Sequence, residues 1–123
     1  LAQTAMLAAY RDCAGWLDEM LLYLEANRNL VYETVKKDMP GAVMGKPQGT
    51  YLAWIDFNGM NLGQSPYQFF LENGRVGFND GARFGKEGEG FIRLNYGCPR
   101  SMLDDGLERM KNALARRPEV QAA

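Results

Sequence analysis

The sequence predicts a small α+β sandwich: a small, mostly antiparallel sheet with helices packed on one face and a long helix at the N-terminal side. Three observations carry that prediction. The runs YLAWIDF (residues 51–57) and FIRLNY (residues 91–96) are rich in aromatic and β-branched residues and read as strands. Leucine and valine recur at helical spacing near both ends of the chain. The element order is helix, two strands, helix, strand, loop, strand, helix, with no internal repeat, linker or low-complexity tract.

The first clear element runs from about Gly15 to Asp38. Leu17, Leu21, Leu24, Val31 and Val35 fall near one helical face, while Asp18, Glu25, Arg28 and Glu33 fill the other. Lys36 and Lys37 lie in its last turn, where cations suit the helix dipole, and Pro40-Gly41 stops it. Long helices of this kind often bridge two domains. Residues 2–11 also read as helical and are apolar enough to need burial, with Gly15 either separating or kinking the two segments.

A hairpin follows, with a short strand at 42–44, turn chemistry in Lys46-Pro47-Gln48-Gly49, and the strand at 51–57. Ser65 is placed to cap the next helix, Pro66 to occupy its first position and Gln68 to complete a capping box. That helix ends at Asn73-Gly74. Residues 75–78 read as a strand, residues 79–90 as a glycine-rich loop, and residues 91–96 as the last strand. Leu103, Leu107, Met110 and Leu114 mark a final amphipathic helix, with Ser101 as its cap or Pro99 as its first residue. The tail from Pro118 is expected to fray.

One domain suits 123 residues, of which 46% are hydrophobic and 24% charged. Fourteen basic against fifteen acidic residues leave a net charge of −1, so neither nucleic acid nor an anionic membrane is expected as a partner. The chain begins at Leu1 without a methionine or a signal-peptide pattern, which points to processing, trimming or a piece of something longer. The two cysteines, Cys13 and Cys98, read as reduced and buried, in keeping with a cytoplasmic protein. There is no histidine and no CxxC pair, which argues against a zinc site and removes the commonest general base.

Few residues carry chemistry. Lys46, Lys86 and Lys111 look exposed, and no lysine sits in an apolar pattern that would favour a Schiff base. Asp56 reads as a turn-capping carboxylate. The glycine loop lacks a phosphate-binding order. Tyr51, Trp54, Phe57, Phe69, Phe70 and Phe78 read as core. Arg93 is different. Alternation puts Ile92, Leu94 and Tyr96 on the core face and Phe91, Arg93 and Asn95 on the other. A strand-anchored guanidinium is a planar fork suited to a carboxylate or phosphate. An internal ion pair with one of the fifteen acids is an equal reading of the same residue.

The motifs resemble a known family. PQGTYLAWIDF, RVGFNDGARFGKEGEGFIRLN and the CPR turn resemble the C-terminal small domain of fold-type I pyridoxal-phosphate enzymes. The resemblance is to the cystathionine β-lyase or C–S lyase branch of the aminotransferase superfamily, and it spans about residues 5–114 with its motifs in order. It implies that residues 1–14 end a large domain and that 15–123 form the small domain. It implies that Arg93 grips the α-carboxylate of an amino-acid substrate. Phe84, Gly85 and the rest of the loop to Gly90 would edge the active-site mouth, with Tyr51, Trp54 and Asn95 near it.

The family's Schiff-base lysine and phosphate contacts belong to the large domain and have no counterpart in these residues. The resemblance therefore implies a fragment of a homodimeric parent that uses pyridoxal 5'-phosphate, and a chain that alone binds no cofactor and catalyses nothing. The implied activity is β-elimination from cysteine S-conjugates, with transamination as the alternative. A stand-alone carboxylate-binding module and a purely structural domain remain open beside the enzyme reading.

Overall fold

The computed structural model describes residues 1–117. Its elements are α1 (Ala2–Asp12), α2 (Ala14–Asp38), β1 (Val43–Met44), β2 (Leu52–Asp56), α3 (Pro66–Gly74), β3 (Asn79–Asp80), β4 (Phe91–Asn95) and α4 (Arg100–Ala115). The sheet runs in the order β1-β2-β4-β3, and every pairing is antiparallel. This is the predicted α+β class.

Strand alternation sorts the side chains. Ala53 pairs with Leu94 and Ile55 with Ile92, and all four are buried. Facing them are Val31 and Val35 of α2, Phe69 and Phe70 of α3, and Leu103, Leu107 and Met110 of α4. The predicted stripe of α4 is thus its buried stripe. Burying each such side chain is worth roughly 1.5–3 kcal/mol. Among the described residues no α-helix packs on the opposite face of the sheet, which holds Trp54 and Arg93.

Polar contacts lock the end of β4 to α2. Asn27 is fully buried, and its Nδ2 donates to the carbonyls of Tyr96 at 2.9 Å and Cys98 at 3.1 Å. Tyr23 adds a bond from its hydroxyl to the Cys98 carbonyl. Tyr96 itself is buried and donates to the Thr50 carbonyl at 3.2 Å.

Several local expectations are corrected. The break between the first two helices falls at Cys13, and Gly15 is helical. No residue of α1 is buried, and Leu17 and Leu21 of α2 are exposed, because none of the described residues covers that end. Residues 75–78 are not a strand. Arg75 is the left-handed cap of α3 with φ 53°, and the Val76 N–H bonds back to Phe70, so the chain is still turning there. Pairing with β4 starts only at Asn79. Residues 79–90 accordingly form no open loop: they hold β3 and two 3₁₀ turns, Gly81–Phe84 and Lys86–Gly88.

Ser65 caps α3 through the Gln68 N–H, but the Gln68 carboxamide donates to Glu72 one turn on and does not close the box. Pro99 is the cap of α4, and Ser101 lies inside the helix. Cys13 is exposed and Cys98 half-buried, both as free thiols, because Cys13 sits at the uncovered α1–α2 junction. The tail expected to fray from Pro118 lies outside the described residues.

Two outcomes follow from the lock on β4. Asn27→Ala removes both side-chain bonds to buried carbonyls and is expected to cost about 1–3 kcal/mol in urea unfolding. Burial raises the Tyr96 phenol pKa, with the Arg28 charge partly lowering it. A raised folded pKa means stability that is full below the unfolded pKa of about 10 and lost as pH rises through the folded value. Tyr96→Phe is expected to flatten that alkaline loss, read from urea midpoints on either side of about pH 10.

Candidate functional site

On the helix-free face of the sheet, three strands bring one row of side chains together. Trp54 of β2 and Asn79 of β3 are the cross-strand partners of Arg93 in β4, so all three point the same way. The Asn79 Oδ1 accepts from Arg93 Nε at 3.3 Å and from Nη2 at 3.1 Å. Phe84 lies over the guanidinium, its ring centroid 4.5 Å from Cζ. Trp54 meets Phe84 edge-on at 5.6 Å and stacks on Phe91 at 5.4 Å. The site is one cation in an aromatic and amide frame.

Among the described residues Arg93 forms no ion pair. The ion pairs that do form, such as Arg28–Glu25 and Arg109–Asp105, do not involve it, so the internal salt bridge considered from sequence is not made among these residues. Two of its five guanidinium N–H groups are spent on a neutral acceptor. The other three have no partner among the described residues, and the side chain is only partly buried. Such a group offers a charge-assisted, two-pronged contact to an anion.

The loop that delivers Phe84 is tightly folded. Gly81 and Gly88 are buried with their backbones in such close approach that a Cβ on either would strike the other. Asp80 caps the first 3₁₀ turn through the Ala82 N–H at 3.2 Å. Phe84 is therefore held over the sheet rather than waving above it.

The sequence-predicted residues divide. Arg93, Trp54 and Phe84 are brought together, with Gly85 directly after Phe84 at φ 126°. Asn95, two residues on from Arg93, lies outside this frame but lines the same cleft, and Tyr51 stands beside it at that end of β4. The Asn95 Oδ1 accepts the Gly97 N–H at 2.8 Å, and the Tyr51 carbonyl accepts the Tyr96 N–H. Tyr51 and Trp54 are exposed rather than core, because Trp54 alternates outward from Ala53 and Ile55. Asp56 caps its turn as expected, accepting from Asn58. Asn79 is not singled out by the sequence, because its place beside Arg93 depends on the pairing of β3 with β4 and on no local pattern.

Two clefts adjoin the sheet. One of 510 Å³ runs from Arg93 and Asn79 along Val76, Phe78 and Met102 to Cys98. The other, of 520 Å³, has Asp80 and Glu89 in its wall, which disfavours an anion. No group of histidine, cysteine or acidic side chains among the described residues is arranged to hold a metal ion. No helix among them is long and apolar enough to cross a membrane.

The fold matches known proteins. A family model described as aminotransferase class I and II matches residues 1–110. The chain belongs to that family. It is 41% identical over 115 residues to the cystathionine beta-lyase PatB of Bacillus subtilis, covering 93% of this chain and 30% of that protein. It is 39% identical to the protein MalY of Escherichia coli, again over 93% of this chain and 30% of the relative. The solved structure of a PLP-bound C–S lyase from Staphylococcus hominis superposes with a TM-score of 0.80 at 34% identity, over 89% of this chain and 30% of that one. The chain thus spans about 30% of the length of these relatives.

The cofactor named for the Staphylococcus structure does not fit the residues described here. Lys36, Lys37, Lys46 and Lys86 are exposed, and Lys111 pairs with Glu108 at 2.6 Å on the surface of α4. None is placed to form a Schiff base in an apolar pocket.

The two thiols give a check on the cleft geometry. Burial pushes the Cys98 thiol up, whereas Cys13 stands exposed. Iodoacetamide at mildly alkaline pH is expected to modify Cys13 well before Cys98, followed by peptide mass spectrometry. Equal rates would contradict the half-buried placement of Cys98.

Proposed function

We propose that this chain is the substrate-gripping part of a pyridoxal-phosphate-dependent C–S lyase, with Arg93 binding the α-carboxylate of the amino-acid substrate. The observation that carries the reading is the guanidinium itself: anchored on a strand, without an acidic partner among the described residues, and opening beside an apolar cleft. The cystathionine beta-lyase name of the 41%-identical relative and the C–S lyase named in the 34%-identical structure support a lyase. The elimination that releases a thiol, ammonia and a keto acid would be carried out by the remainder of the protein. Phe84 and Gly85 form the mouth of the site, and Tyr51 and Asn95 flank it.

Transamination is the second reading, favoured by the family's description. Products separate them: an eliminating enzyme forms thiol and ammonia without an acceptor keto acid, and a transaminating one needs that acceptor. In the full-length protein, Arg93→Ala is expected to raise KM roughly tenfold to a hundredfold for L-cystathionine, since a charge-assisted contact is worth about 1.5–3 kcal/mol. The circular dichroism spectrum should be unchanged. Unaltered kinetics would show that Arg93 does not grip the substrate.

Within this reading, residues 1–14 belong to a large domain and residues 15–123 to the small one, in a homodimer. The bare apolar side chains Leu7, Tyr10, Trp16, Leu17, Leu21 and Leu22 support a covering domain. The free thiols support a reducing, cytoplasmic setting. With that cover absent, the 123-residue chain is expected to self-associate. Sedimentation velocity showing a monomer across a wide concentration range would refute this.

A further inference from the structure

We propose that Asn79 is the positioning residue for Arg93: it orients the guanidinium while leaving its charge uncompensated for an incoming carboxylate. The inference rests on Arg93 being the carboxylate grip. β3 is only two residues long, and its register sets Asn79 opposite Arg93 and Asp80 opposite Ile92. A guanidinium offers only donors, so it is the amide oxygen that faces it, at 3.1 and 3.3 Å. Two bonds to one neutral oxygen fix the plane of the fork without neutralising it.

The neighbouring residue shows what is avoided. A slip of one residue would bring the Asp80 carboxylate to the guanidinium. An ion pair there would compensate the guanidinium charge and compete with the substrate carboxylate. In the observed register Asp80 is committed to capping the 3₁₀ turn of residues 81–84. That same turn lays Phe84 over the other side of the fork. The Asn79-Asp80 pair thus divides the work: the amide aims the cation, and the carboxylate, kept off it, holds the aromatic lid in place.

The test compares Asn79→Ala, Asn79→Asp and Arg93→Ala in the full-length protein with L-cystathionine. Asn79→Asp keeps the side-chain shape and adds a charge, so it is expected to raise KM by about tenfold or more. Asn79→Ala removes the guide without adding a competitor and should raise KM only about threefold, with both effects carried by KM rather than kcat. Inhibition by propionate, a carboxylate without an amino group, should weaken in the same order. Thermal unfolding of each variant separates these effects from loss of fold, and a general structural role would not make the aspartate worse than the alanine. If Arg93→Ala raises KM but Asn79→Asp does not exceed Asn79→Ala, the positioning inference fails alone. If Arg93→Ala leaves KM unchanged, the carboxylate-grip reading fails and this inference with it.

Discussion

Pairing Ala53 with Leu94 and Ile55 with Ile92 puts four apolar side chains on one face of the sheet. The period of two then sends Trp54 and Arg93 to the other. Everything else depends on that register. It decides that α2, α3 and α4 pack on one side only, since only one side is apolar. It leaves the opposite side to a cation, an amide and three aromatic rings. A one-residue slip would exchange the faces, burying the guanidinium and exposing the core. Such a slip would cost several buried side chains at roughly 1.5–3 kcal/mol each, so the core holds the face on which the site stands.

The frame around Arg93 is built from weak parts in a fixed arrangement. The contact with Phe84 is worth about 0.5–2 kcal/mol, and each hydrogen bond to Asn79 about 1 kcal/mol. Their effect is geometric rather than energetic. The fork loses its rotational freedom before any ligand arrives, so less of the binding free energy is lost in ordering it. The close-packed glycines at 81 and 88 serve the same end by holding the lid loop against β4.

Much of this was legible in the chain. Both long strands, the α4 stripe, the Ser65 cap and the two faces of β4 follow from alternation and helical spacing, because each depends on neighbours in sequence. Arg93 stood out for the same reason, as a charge at an outward position of an otherwise apolar strand. What failed were features that depend on partners far away. Arg75–Phe78 looks like a strand, but the left-handed cap at Arg75 delays pairing to Asn79. Trp54 looks like core by composition, and only its cross-strand partner shows that it faces out. Leu17 and Leu21 belong to a regular apolar stripe, yet both stay exposed among the described residues.

By itself, then, the sequence determined the α+β class, the inward and outward faces of β4, and a guanidinium at an outward position of that strand, with an internal ion pair and an outside anion equally open to it. Its spaced motifs also pointed to the family. Only the tertiary structure decided what that guanidinium meets. Asn79 lies fourteen residues before it and Phe84 nine, and no local pattern couples them. They are joined by a two-residue ladder and a folded loop, and the register of that ladder selects a neutral amide over the adjacent carboxylate. Periodicity governs which way a side chain points; strand pairing across the sheet governs what it finds there.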